Sequence, residues 1–137
     1  MLMNILCVDD DPIAQFYTKA LIKKAEITEK IHCVSDGQKG IDYLEKCMEI
    51  THTQTQAIPE LILLDLNMPV MNGWNFLEIY SVRFASLFPK TKIVIVSSSI
   101  DQDDIDKSTA YPFVMDYISK PLTVVILTGL KDKFDHA

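Results

Sequence analysis

Two kinds of apolar pattern alternate from the N-terminus onward. Short, mainly apolar runs at about 4–8, 30–34, 60–64, 91–96 and 113–118 have the length and the branched-aliphatic content of strands. Between them, apolar residues recur every three or four positions, as on one face of a helix. This alternation predicts repeated βαβ units. Because parallel crossovers are almost always right-handed, five such units fold into an α/β, doubly wound, five-stranded parallel sheet with five helices on its two faces. The runs LILL (61–64) and IVIV (93–96) suit central strands covered on both sides. Strand order is not readable from periodicity.

The helices follow one by one. Asp11 is placed to cap a first helix with Pro12 at its first position, and Ile13, Phe16, Tyr17, Ala20 and Leu21 mark its apolar face. Ile41, Leu44, Cys47 and Met48 mark a second helix after Asp36-Gly37, and Trp74, Leu77 and Tyr80 a third after Asn72-Gly73. Leu122, Val125, Ile126, Gly129 and Leu130 mark the last, opened by Pro121, whose missing N–H costs nothing there. Asp101 to Thr109 carries only Ile105 among acids and small polar residues, so this fourth helix should be the least anchored. Residues 49–59 are polar and aperiodic and read as an exposed loop.

A chain of 137 residues suits one domain, 1–137, with no room for a second output domain. No stretch reaches the roughly 18 apolar residues of a membrane span, and no signal-peptide layout precedes the first strand, so a soluble cytoplasmic protein is expected. Net charge is −6 with scattered basic residues, which argues against nucleic acid as a partner. Cys7, Cys33 and Cys47 have no metal-ligand spacing and read as small hydrophobes in a reducing compartment. His32, His52 and His136 pair with no nucleophile. Trp74 and Phe76 read as packing residues.

Polar groups collect where the strands end: Asp9-Asp10 after the first, Asp65 after the third, Ser97 after the fourth and Lys120-Pro121 after the fifth. In a parallel sheet these ends share one edge, so carboxylates, a hydroxyl and an ammonium would meet in one crevice suited to magnesium and phosphate. Helix caps alone would account for Asp11 and Asp101, and Asp103 and Asp104 read as a solvated helix start.

The segments ILCVDDDP, LILLDLNMPVMNG, IVIVSSS and DYISKP, in that order, resemble the response-regulator receiver domain of two-component signalling. The likeness runs from about residue 4 to 133. It implies a flavodoxin-like (CheY-like) fold and phosphoryl transfer from a sensor histidine kinase, or a histidine phosphotransfer protein, onto Asp65. It further implies Mg2+ (Mn2+ possible) held by Asp9, Asp10, Asp65 and the backbone carbonyl of Asn67. Lys120 and Ser97 would contact the phosphoryl oxygens together with backbone N–H groups near Asn67 and Ser98. A cis bond at Lys120-Pro121 and a switch pair, Ser97 and Tyr117, complete the implied set. The face of the fourth helix, fifth strand and fifth helix would then change its preference for a downstream target protein, and Asn67 and Ser99 would set the lifetime of the acyl phosphate. The expected state is a monomer or weak dimer.

A carboxylate repels an incoming phosphoryl group, so this chemistry needs neutralising charge at the nucleophile. Two other classes fit less well. A magnesium-dependent phosphohydrolase with an aspartate nucleophile needs an acid two residues beyond Asp65, where Asn67 stands. A nucleotide-binding domain needs a glycine-rich turn after the first strand, where Asp9-Asp10-Asp11-Pro12 stands. A receiver-like interaction module that is never phosphorylated is the remaining alternative.

Overall fold

Each apolar run forms a strand, and all five strands pair in parallel. The computed structural model describes residues 4–28, 30–50 and 58–135, with Ile50 described by its backbone only. Its elements are β1 (Ile5–Val8), α1 (Pro12–Lys24), β2 (Ile31–Val34), α2 (Gly37–Ile50), β3 (Leu61–Leu64), α3 (Gly73–Arg83), β4 (Lys92–Ser97), α4 (Gln102–Ser108), β5 (Val114–Ser119) and α5 (Val124–Asp135). The sheet order is β2-β1-β3-β4-β5, so the chain turns one way from β1 to reach β2 and then crosses back to lay down β3. Ligand crevices form at such a reversal, beyond the carboxyl ends of the strands.

Alternate strand residues serve opposite faces. Leu6, Val8, Ile62 and Leu64 share one core with Ile41 and Leu44 of α2 and with Phe76, Leu77 and Tyr80 of α3. Ile5, Leu61, Leu63, Val94 and Val96 share the other with Ile22 of α1 and with Leu127 and Leu130 of α5. Both faces of β1, β3 and β4 are therefore dry, as the unbroken LILL and IVIV runs imply. Each such aliphatic side chain contributes roughly 1.5–3 kcal/mol relative to exposure.

The helices depart from the sequence reading in several places. On α1 the face marked by Ile13, Phe16 and Tyr17 points outward, at 79%, 76% and 44% exposure, while Thr18 and Ile22 are buried. The helix carries a second, narrower stripe, Thr18 and Ile22, and Ile22 packs in the core with Ile5 and Leu63. On α5 the start is Val124, and Pro121 stands before it in the connection. Thr123 supplies the cap, its Oγ1 accepting from the Ile126 N–H at 3.2 Å. Glu49 and Ile50 belong to α2 rather than to the expected loop, of which residues 51–57 lie outside the described residues.

The apolar faces of α2 and α5 hold only in part: Met48 and Val125 are exposed, the latter at 81%, and α5 turns Leu127 inward beside Leu130. The caps, the weak fourth helix and the cysteines follow the sequence reading. Asp11 and Asp101 cap α1 and α4 by accepting from the N–H groups of Ile13 and Asp103. The fourth helix is short, with Ser108 its one buried residue. Cys7 and Cys47 are buried and Cys33, on the edge strand β2, is half-buried; no disulfide joins the three. Among the described residues, no helix is long and apolar enough to cross a membrane.

Candidate acidic site at the sheet edge

The parallel ladder runs one residue past β1 and β3 and fixes the first two acids. The Asp9 N–H donates to the Val34 carbonyl at 3.1 Å, and the Asp65 N–H donates to the Val8 carbonyl at 2.9 Å. Asp9 and Asp65 are both buried, and Asp10 is exposed at the rim. Their carboxylate oxygens converge, one from each residue lying within 4.8 Å of the others. Lys120 reaches the same point from the end of β5, its Nζ 3.1 Å from Asp9 Oδ2 and 3.7 Å from Asp65 Oδ2. Its N–H donates to the Ser97 carbonyl at 2.8 Å, joining the ends of β4 and β5, and the Lys120-Pro121 bond is cis.

Local turns hold the carboxylates. The Asp11 N–H donates to Asp9 Oδ1 at 3.0 Å and the Asn67 N–H to Asp65 Oδ1 at 3.3 Å. Behind Asp65, the Gly73 N–H donates to the Leu66 carbonyl at 3.0 Å. The approach is so close that a Cβ on Gly73 would stand 2.7 Å from the Asp65 carbonyl oxygen. Between them, Val70 takes a positive φ of 65°, the centre of a tight turn closed by the Met71 N–H on the Pro69 carbonyl at 2.7 Å. A β-branched residue is strained there.

Electrostatics follow from this geometry. Burial pushes the Asp65 carboxyl above the usual aspartate range; Lys120 and the Asn67 N–H pull against it, and Asp9 and Asp10 add to it. Burial pulls the Lys120 ammonium down, but the carboxylates of Asp9 and Asp65 outweigh it and leave it raised. Three acids facing one ammonium leave an excess of negative charge. A cavity of about 420 Å³ opens from Asp9, Asp65 and Lys120 between α1 and the β5–α5 connection, walled by Ile13, Tyr17 and Leu122.

The remaining residues lie on the adjoining loop. Ser97 is fully buried and its Oγ accepts from the Ser99 N–H at 3.1 Å, while Ser98 and Asn67 are exposed. The Tyr117 hydroxyl donates to the Ser99 carbonyl at 3.0 Å. Ser99 Oγ donates to Asp104 at 3.0 Å and accepts from the Asp101 N–H at 3.2 Å, tying this loop to α4. Asp104 thus has a partner that the reading of a solvated helix start missed. The structure brings Asp9, Asp10, Asp65 and Lys120 together directly. Ser97 and Tyr117 are tied to each other through Ser99 of the β4–α4 loop, and the Ser97 carbonyl accepts the Lys120 N–H.

Sequence reasoning missed Gly73 as a packing residue beneath Asp65, although a glycine at the first position of α3 was a visible signal. It also missed Gln15, whose Nε2 donates to the Asp9 carbonyl at 2.6 Å and to the Val34 carbonyl at 3.2 Å. His32 stacks on Tyr43 with ring centroids 4.5 Å apart, away from the acids; His52 and His136 lie outside the described residues.

Comparison with known proteins agrees with this architecture. The family model described as the response regulator receiver domain matches residues 5–130. The chain is 36% identical over 102 residues to the nitrate/nitrite response regulator protein NarL of Escherichia coli, covering 74% of this chain and 41% of that protein. It spans about half the length, or less, of the first curated relatives it matches. A two-component response regulator from Cytophaga hutchinsonii superposes with a TM-score of 0.87 at 30% identity, covering 100% of both chains. A response regulator receiver protein from Dyadobacter fermentans gives a TM-score of 0.79 at 28% identity over 97% of this chain and 98% of that one. With the match spanning all five strands and the strand-end acids converging as they do, the chain belongs to the response regulator receiver domain family of two-component signalling.

Proposed function

We propose that Asp65 is the phosphoacceptor, that Asp9, Asp10, Asp65 and the carbonyl of Asn67 hold a magnesium ion, and that Lys120 and Ser97 bind the phosphoryl oxygens. The observation that carries this reading is the convergence of three carboxylates and one ammonium at the switch point of the sheet. The donor set fits the ion. Neighbouring oxygens around octahedral magnesium are about 3 Å apart and opposite ones about 4 Å, so carboxylates within 4.8 Å of one another need only a small contraction or an intervening water. When bound, the ion neutralises the carboxylates and the charge that develops on the phosphoryl oxygens.

The chain's own residues do the rest. Asp65 presents a carboxylate oxygen from a residue whose backbone is pinned by the β1–β3 ladder and whose own carbonyl is closely approached by Gly73 of α3. That oxygen bonds to phosphorus as the donor's P–N bond breaks, the electron pair leaving on the imidazole nitrogen of a phosphohistidine. Lys120 stands ready as a point charge for one phosphoryl oxygen. The N–H groups of Asn67 and Ser98 supply further donors. Water later attacks the acyl phosphate and regenerates Asp65.

The donor is a sensor histidine kinase or a histidine phosphotransfer protein, and the reading surface includes α4, β5 and α5. The Ser97 hydroxyl leaves the Ser99 N–H for the phosphoryl group, and Tyr117, already bonded to the Ser99 carbonyl, stabilises the loop in the new position. Output passes to a downstream protein as a shift between two loop arrangements. Incubation with magnesium chloride and phosphoramidate should add one phosphoryl group per chain, labile to hydroxylamine and absent in Asp65→Ala. Unmodified folded protein would favour an interaction module, and multiple turnover on phosphate esters would favour a hydrolase.

A further inference from the structure

The Asp9–Asp10 peptide carries a proposed metal-binding carboxylate at each end, and its carbonyl is gripped from the side by Gln15 of α1. The Gln15 Nε2 donates to the Asp9 carbonyl at 2.6 Å and to the Val34 carbonyl at 3.2 Å, so one amide closes the gap between the ends of β1 and β2. The same Val34 carbonyl accepts the Asp9 N–H at 3.1 Å. Asp9 has further anchors in the Asp11 N–H and Lys120.

Asp10 has none. Its side chain is exposed, and no hydrogen bond or ion pair among the described residues holds its carboxylate. Like charges on Asp9 and Asp65 push it outward, toward water. What keeps it beside them is the backbone, and a planar peptide is oriented as a unit once its oxygen is held. The group that holds this oxygen from the side is Gln15.

We infer that Gln15 is a positioning residue for the divalent cation: its side-chain amide orients the Asp9–Asp10 peptide and so keeps the Asp10 carboxylate within reach of Asp9 and Asp65. Gln15 touches neither the ion nor the phosphoryl group. The inference rests on reading the acidic cluster as a magnesium site. A neutral amide suits the task, because a Lys here would compete with the cation and a Glu would lack the N–H.

The test follows amide chemical shifts of the 15N-labelled protein as magnesium chloride is added, for the unsubstituted protein, Asp10→Asn, Gln15→Met and Ile22→Val. Gln15→Met keeps the length of the side chain and removes its donor. It should raise the magnesium Kd on the order of tenfold, as losing a hydrogen-bond partner behind a metal ligand does. Phosphorylation by phosphoramidate should then need more magnesium to reach the same limiting rate. Ile22→Val loosens α1 without touching the acids and should leave the Kd unchanged, which separates positioning from general destabilisation. If Gln15→Met does not fold, Gln15→Asn, which keeps the amide and shortens its reach, carries the same expectation. A Kd for Gln15→Met within twofold of the unsubstituted protein, while Asp10→Asn binds more weakly, overturns the inference and leaves the site standing. Failure of the unsubstituted protein to bind magnesium, or unchanged binding in Asp10→Asn, overturns the site and this inference with it.

Discussion

Lys120 Nζ sits closer to Asp9, at 3.1 Å, than to Asp65, at 3.7 Å. The ammonium therefore leans on the acid that is not the proposed nucleophile. On the proposed reading, neutralisation of Asp9 by a bound cation would weaken this ion pair and leave Lys120 available to a group on Asp65. Lys120→Met should slow phosphoryl transfer from phosphoramidate by about 10²-fold at saturating magnesium, the scale expected for one charged donor at a transition state. Single-turnover labelling followed by intact mass measures it, and a rate within a factor of three of the unsubstituted protein would remove Lys120 from the mechanism.

The raised pKa of Asp65 makes a signed prediction for stability. Burial, the largest cause, holds the folded-state value above the unfolded one, so in the interval between the two the folded chain binds more protons than the unfolded chain. Stability from this group is thus greatest below the unfolded value and falls as pH rises through the folded one. Urea midpoints of the unsubstituted protein minus those of Asp65→Asn should drop as pH rises above the ordinary aspartate value of about 4 in metal-free buffer. Millimolar magnesium at pH 7 should recover part of that loss in the unsubstituted protein and little in the variant.

Two glycines separate packing from propensity. A Cβ at position 73 would lie 2.7 Å from both the Asp65 carbonyl oxygen and the Leu66 Cα, backbone atoms that cannot step aside. Gly73→Ala should cost about 2 kcal/mol or more and should slow labelling as well, because the strain falls on the peptide of the proposed acceptor. Gly129 lies exposed within α5 with no atom within 4 Å of an added Cβ. Gly129→Ala should stabilise by about 0.5–1 kcal/mol and leave labelling unchanged. Urea unfolding of both variants tests the pair.

The turn at Val70 gives the opposite outcome at a non-glycine. With φ at 65° and the side chain 86% exposed, the branched Cβ brings strain and little burial in return. Val70→Gly should stabilise the fold by about 1 kcal/mol after allowing for the greater freedom of glycine in the unfolded chain. Chemical denaturation reads the change directly, and a loss of stability would show that the valine side chain makes a contact that outweighs the strain.

How much of this was legible beforehand depends on the range over which each signal acts. The five strands and the acids at their ends were visible because burial imposes continuous apolar runs and the chain must leave the sheet on polar residues. Helix faces were less secure. The larger apolar residues of α1 form the more obvious stripe, yet Ile13 and Phe16 face outward and Thr18 and Ile22 face the sheet. Periodicity marks an apolar face without saying what covers it. Pro121 suits the opening of α5 by sequence, whereas Thr123 caps it, because a Lys-Pro step fits a turn as readily as a helix start. Strand order, the Gln15 grip across two strand ends and the Tyr117 bond to Ser99 depend on contacts distant in sequence and leave no local signature.

The central claim is that Asp65 itself takes the phosphoryl group. Borohydride reduces an acyl phosphate to the alcohol, so reduction after treatment with phosphoramidate and magnesium, followed by peptide mass spectrometry, marks the acceptor as homoserine. The account predicts conversion at residue 65 alone, abolished when magnesium is removed by chelation. Homoserine at position 9 or 10, or labelling on a histidine or serine with none at residue 65, would contradict it.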